Sequence, residues 1–269
     1  MKKILFWSVM LVFLSVFMTT ALIKPAKAEN TLEKIKKRGY MIVGVKYDFK
    51  PFGFVNEKGE VVGFDIDLVN YIAKKLGVKV KLVQVTSKTR IPMLESGSVD
   101  LVAASMTHKR KRDLPIDFTI SYYFDGQAIL ARSDCQAKSY KDFAGKKVAA
   151  IQGATSGPNF KKVQPKAEIV YFQEYPQALM ALMKGKVDAI TTDYTWCATQ
   201  AKDSHGKLKV IGEPFTYEPY GMGVRENDSD FRDAINFAIQ DAVIDGTYTK
   251  IFEKWFGKKP TRLPEVWPK

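Results

Sequence analysis

Arg90-Ile91-Pro92-Met93-Leu94-Glu95-Ser96-Gly97-Ser98-Val99-Asp100-Leu101-Val102-Ala103-Ala104-Ser105-Met106-Thr107 reads as a helix, a glycine turn and a short apolar strand that stops at small hydroxyl residues. The junction recurs. Glu95-Ser96-Gly97-Ser98-Val99-Asp100 and Met183-Lys184-Gly185-Lys186-Val187-Asp188 share one form, helix end to strand start, which predicts two similar α/β lobes. The same stretch carries chemistry. Ser87 and Arg90 precede the strand, and Arg112 follows five positions after Thr107. A guanidinium is a planar fork of donors that fits a carboxylate bidentately. Two forks, with hydroxyls and backbone N–H groups at a strand end, can hold a small anion by both ends. The bland alternative is a pair of solvated arginines on a basic protein.

Outward from this segment, strand and helix alternate. Thr31 can cap a helix that runs to Arg38 and stops at Gly39. Met41–Lys46 is a buried-strand pattern, and Phe52–Val55 and Val61–Phe64 flank a turn at Asn56–Glu60 as a hairpin. Leu68, Tyr71, Ile72 and Leu76 keep helical spacing up to Gly77, and Val78–Val85 is a strand. A second set follows: a strand at Val148–Ile151, a turn at Gly153–Gly157, a strand at Ile169–Phe172, a helix at Tyr175–Met183, a strand at Asp188–Thr192 and a helix near Tyr194. Such alternation predicts parallel sheets. Asp230–Phe256 reads as two helices around Gly246, and Pro260, Pro264 and Pro268 forbid more helix.

Lys2 and Lys3, the apolar run Ile4–Ile23 and the small-x-small site Ala26-Lys27-Ala28 predict a cleaved secretory leader, residues 1–28, and hence a periplasmic protein starting at Glu29. An uncleaved anchor is the alternative. The net charge of +13 could suit nucleic acid, a membrane surface or an anionic ligand; export disfavours nucleic acid. Cys135 and Cys197 are an even pair in an oxidising compartment, so one disulfide is expected, with two free thiols as the alternative. His108 and His205 are the only histidines and have no spaced partner, so no metal site, cofactor or catalytic set is expected. The Gly153–Gly157 turn is not followed by a phosphate-loop Lys-Ser/Thr. Asp65 and Asp67, two apart at a helix start, read as structural.

Gly63-Phe64-Asp65-Ile66-Asp67-Leu68 and the helix to Gly77 resemble the signature of the periplasmic amino-acid-binding proteins, the family 3 solute receptors of ABC importers. Gly44, Pro51-Phe52, Val99-Asp100, Thr107, Arg112, Asp117-Phe118, Gly153, Val187-Asp188, Asp193, Tyr220-Gly221 and Lys254-Trp255-Phe256 also fall in that family's order. The resemblance covers essentially the whole exported chain. It implies an α/β protein of two Rossmann-like lobes joined by two hinge strands, the type II periplasmic-binding-protein-like fold, with the ligand in the interlobe cleft. Lobe 1 would be 29–121 plus 220–269, and lobe 2 would be 122–219. The hinges would lie at Tyr122–Gly126 and Glu218–Tyr220. Such receptors close on ligand by hinge bending.

By position, the resemblance implies that Arg112 grips the ligand α-carboxylate and that Thr107 adds a hydroxyl and an N–H to it. Ser105 and Ala104 supply polar and backbone contacts, and Asp193 takes the α-ammonium. Phe49 is the aromatic wall, and Thr155 lies in the turn that closes on the carboxylate end. The Lys109-Arg110 pair departs from the family's usual Thr and Pro, although Thr107 and Arg112 keep their spacing. Ser87-x-x-Arg90-Ile91-Pro92 resembles the aspartate/glutamate receptors, where the arginine meets the distal carboxylate; Tyr175 also falls at a contact position. Lys46 stands where receptors for basic or amide ligands carry Asp. Lys46 and Arg90 would be costly in a closed cleft without counter-charge, which a dicarboxylic amino acid supplies. The expectation is a monomeric, non-enzymatic receptor for glutamate or aspartate that hands its ligand to an inner-membrane ABC permease. The alternatives are another polar amino acid such as glutamine, or a dehydratase-like enzyme on the same scaffold.

Overall fold

The computed structural model describes residues 30–268; the expected leader, its expected cleavage site and the expected Glu29 terminus lie outside the described residues. The first half contains α1 (Thr31–Arg38), β1 (Tyr40–Val45), β2 (Asp48–Phe49), β3 (Gly53–Val55), β4 (Val61–Val62), α2 (Phe64–Leu76), β5 (Lys79–Gln84), α3 (Arg90–Glu95), β6 (Leu101–Ala103) and β7 (Ile116–Phe118). The chain continues through β8 (Tyr123–Asp125), β9 (Gln127–Arg132), β10 (Lys147–Ile151), α4 (Ser156–Val163), β11 (Glu168–Phe172), α5 (Tyr175–Met183), β12 (Ala189–Asp193), α6 (Tyr194–Asp203) and β13 (Leu208–Ile211). It ends with β14 (Glu218–Tyr220), β15 (Gly223–Arg225), α7 (Ser229–Ile244) and α8 (Thr247–Phe256).

Two five-stranded sheets result, in the orders β5-β1-β6-β15-β7 and β11-β10-β12-β9-β13. Position by position they have the same plan. In each, the first three strands are parallel, the fourth runs antiparallel to them, and the fifth pairs antiparallel with the fourth and so runs with the first three. The sheets are therefore mixed, which corrects the all-parallel expectation. The strands in these antiparallel pairs at the sheet's far side are three to six residues long, and their pairing comes from the chain's return across each sheet, not from local pattern.

The repeated junction seen in the sequence has one structural job in both sheets. Gly97 and Gly185 take φ of 74° and 68°, a turn that glycine adopts without Cβ strain. The following acid then accepts from the neighbouring parallel strand. Asp100 Oδ2 takes the Ile42 N–H at 2.7 Å, and Asp188 Oδ2 takes the Lys147 N–H at 2.8 Å. An arginine donates to the carbonyl just before each strand, Arg225 to Val99 and Arg132 to Val187.

The chain passes from the first sheet to the second through β8 and returns through β14, and these strands pair antiparallel as a two-stranded ribbon. Fully buried Phe52, Phe64, Tyr122 and Tyr220 pack around it. Burying one such side chain is worth about 1.5–3 kcal/mol, so the ribbon rests on a strong apolar support.

Cys135 and Cys197 are both free thiols, so the expected bridge is not formed. Side chains alternate across the second sheet. Leu130 and Ile190 share the core that holds Cys197, while Ile129 and Ala189 face the core on which Cys135 packs. The sheet thus stands between the two sulfurs. Layers stack about 10 Å from a sheet on each side, beyond the roughly 7 Å Cα separation that a disulfide spans. Among the described residues, no helix is long and apolar enough to cross a membrane.

Candidate functional site

The carboxyl ends of the parallel strands in both sheets face a pocket with about 300 Å³ of empty space, open solvent at its mouth included. Ligands collect at such strand ends in open α/β sheets. From the first sheet come Lys46 after β1, Ser87 and Arg90 after β5, and Ala104, Ser105 and Thr107 after β6, and from the small sheet β2-β3-β4 beside it comes Phe49 in β2. From the second come Thr155 after β10, Tyr175 at the start of α5 and Asp193 at the end of β12. The structure brings all of these predicted residues together. Arg112 stands just outside the lining. Its Nη1 donates to Thr107 O at 3.1 Å and its Nη2 to Gly153 O at 2.8 Å, so it joins the loop after β6 to the loop after β10.

Lys46 is 2% exposed and Arg90 3%. Lys46 Nζ donates to Ser87 Oγ at 3.0 Å and lies 5.3 Å from the Tyr175 ring centroid. Arg90 Nη1 donates to Ala104 O at 2.6 Å, and its Nε is buried without a partner. Among the described residues neither cation is in an ion pair. Burial drives the Lys46 ammonium down to about 8, with Asp48 opposing and Arg90 reinforcing, and burial also lowers Arg90. Arg112 falls to about 9, from burial first and repulsion by Arg90 second. Asp193 moves the other way, raised to about 8 by burial and then by Asp125. It is the carboxylate in the lining.

The walls are set by the folding of each loop. Phe49 packs on Tyr175 at 4.7 Å and stacks with Trp196 at 6.2 Å, an aromatic face drawn from both sides of the cleft. Ser105 holds a left-handed φ of 47°, rare for serine. Buried Asp65 secures it by accepting both its N–H at 3.0 Å and its hydroxyl at 3.3 Å, and Tyr122 OH donates to the same carboxyl at 2.9 Å. Burial raises Asp65 to about 6. Asp65 is thus structural, as its place at a helix start suggested, and Asp67 binds Lys254 and Trp255.

Sequence reading missed Gln127, Ala154, Ser156 and Thr192 in the lining. Ala154 and Ser156 flank Thr155, so the turn that flagged Thr155 could have flagged them. Ser156 is the first residue of α4, and its buried hydroxyl has no partner in the structure. Gln127 and Thr192 lie in strands and carry no local signal. One expected role changes. The Thr107 hydroxyl donates to Glu218 Oε2 at 2.6 Å, so its proton is committed within the protein.

A cavity lined by buried charged and polar groups between two like-built lobes defines a small-solute receptor. The family model for bacterial extracellular solute-binding proteins, family 3, matches residues 41–258, and this chain belongs to that family. The ABC transporter glutamine-binding protein of Bacillus subtilis is 37% identical over 237 residues, 86% of this chain and 86% of that protein. A glutamine-binding protein of Geobacillus stearothermophilus is 44% identical over 199 residues, 72% of this chain and 76% of that one. Among solved structures, an ancestral arginine-binding protein bound to glutamine is similar with a TM-score of 0.79 at 42% identity, covering 82% of this chain and 99% of that chain.

Proposed function

We propose that this protein is an exported, periplasmic receptor that captures an acidic amino acid, glutamate or aspartate, between lobes 29–121 plus 220–269 and 122–219, and delivers it to a membrane ABC permease. The observation that carries the acidic reading is the pair Lys46 and Arg90, two buried cations in one cavity with no carboxylate paired to either among the described residues. Buried charges persist when they are paired, and a ligand's distal carboxylate would pair both. Arg112 and the backbone donors around it would receive the α-carboxylate, and Asp193 the α-ammonium. Phe49 and Tyr175 would cover the methylene chain. A guanidinium or ammonium side chain would meet Lys46 and Arg90 head on, which disfavours basic ligands.

Glutamine is the second reading, favoured by the glutamine-binding relatives and the glutamine-bound structure. The amide oxygen would take Lys46 and leave Arg90 less well matched. Calorimetric titration of glutamate, aspartate, glutamine and asparagine against wild type, Lys46→Ala and Arg90→Ala separates the two. Removing either cation should weaken the acids about tenfold or more, the scale of a lost charge-assisted hydrogen bond, and the amides much less. Equal weakening of acids and amides would exclude the acidic reading.

A further inference from the structure

Glu218 is a buried carboxylate, 3% exposed, that opens hinge strand β14 and has no part in the ligand contacts proposed above. Its Oε2 accepts the Thr107 hydroxyl at 2.6 Å and the Thr155 hydroxyl at 3.1 Å, and its Oε1 accepts Asn159 Nδ2 at 3.0 Å. Thr155 Oγ1 in turn accepts Gln127 Nε2 at 2.7 Å, and Asn159 Nδ2 also donates to Gln127 Oε1 at 3.0 Å. Glu218, Thr155, Gln127 and Asn159 therefore close a hydrogen-bonded ring, and Thr107 reaches it from the other side of the cleft. The direction of every bond is forced. A carboxylate only accepts, so both threonines must donate to it. Thr155, its proton committed, must accept from Gln127, which fixes that amide and then Asn159.

We propose that Glu218 is a positioning residue for the ligand cleft: from the hinge it orients the hydroxyls of Thr107 and Thr155 and ties the loop after β6 to the loop after β10. The inference rests on the amino-acid-receptor reading. Neither hydroxyl proton is then free for a ligand. A ligand carboxylate is received by N–H donors, by Arg112 and by the Ser156 hydroxyl, which is buried with no partner of its own. Holding side chains in their binding geometry before the ligand arrives removes an ordering cost from binding.

The test uses whichever of L-glutamate and L-glutamine wild type binds more tightly. Glu218→Gln keeps the shape but puts a donor where an acceptor stood, so the ring loses its direction. Its Kd should rise about tenfold, the usual scale for a charged hydrogen-bond partner, while the thermal midpoint without ligand moves little. Thr107→Val should weaken binding in wild type but add less than about twofold in the Glu218→Gln background, because coupled residues are not additive. Glu218→Asp is the companion if the first variant does not fold. It withdraws the carboxylate by one methylene and should also weaken binding about tenfold. Three results would overturn the proposal: near-wild-type affinity in the folded variant, additive effects of the two mutations, or a loss of binding that follows a matching loss of midpoint. Wild type that binds no amino acid would instead overturn the underlying reading, and this inference with it.

Discussion

Lys46 and Asp193 bring opposite charges to one cavity, and burial moves both to about 8. Their titrations should show in binding with opposite signs. Below about pH 8 Asp193 holds a proton. A ligand ammonium favours the carboxylate, so binding expels that proton and affinity rises with pH. Lys46 loses its proton above about 8. An acidic side chain favours the ammonium, so there binding takes up a proton and affinity falls as pH rises. Glutamate affinity should therefore peak near pH 8, while glutamine affinity rises and levels off. Without ligand, the raised Asp193 makes the fold lose stability as pH climbs from about 4 to about 8, because the folded state keeps a proton that the unfolded state has shed. Calorimetry at pH 7 in buffers of different ionisation enthalpy should detect proton release on binding. A buffer-independent enthalpy would mean that Asp193 does not meet the ammonium. Lys46, Arg90 and Asp193 were legible in the sequence because each stands at a strand end or helix start beside a recognisable motif. Glu218 was not, because it sits far along the chain in a three-residue strand whose partners are brought by tertiary structure alone.

The turn Gly153–Gly157 and the helix α4 after it show how an element can be half read. Ser156-Gly157-Pro158-Asn159 looks like a loop, since Gly, Pro and Asn are poor helix formers. The helix forms because Pro158 falls in its first turn, where the N–H has no intrahelical partner to lose. A Cβ at Gly157 would lie 2.7 Å from the Tyr171 hydroxyl, the far end of an exposed side chain that can swing aside. Gly153 matters for the approach of the two faces. It has φ of 78°, and a Cβ would stand 2.5 Å from Ser87 O and 2.7 Å from Lys88 Cα, backbone on the opposite side of the cleft. Gly153→Ala should cost the fold about 1 kcal/mol from the left-handed backbone, yet block closure. Small-angle scattering should find the variant more open than wild type at saturating ligand, with Kd raised by at least about tenfold; the backbone cost is shared by the free and bound states and does not by itself weaken binding. Unchanged scattering and affinity would show that the two loops need not meet. Strands β1, β5, β10 and β11 were legible from their apolar runs, and α3 and α5 to the residue, because periodicity and flanking turns agreed.

At the scale of the molecule, the repeated helix-to-strand junction announced two like lobes, and its glycine and acid do the same work in each sheet. What joins the lobes was legible only through resemblance, since β8 and β14 are three-residue strands with no pattern of their own. The cleft faces meet in the structure through Arg112 with Gly153, Tyr175 N–H with Asp48 at 3.1 Å and Lys50 with Asp203 at 2.7 Å. A ligand held between such faces stabilises the whole fold in proportion to the logarithm of its concentration over Kd. The most direct measurement is a thermal-shift screen of the twenty amino acids against ligand-stripped wild-type protein. The account predicts that glutamate or aspartate raises the midpoint most, that glutamine and asparagine follow, and that arginine and lysine do nothing. A midpoint raised most by a basic amino acid, or moved by none of the twenty, would contradict it.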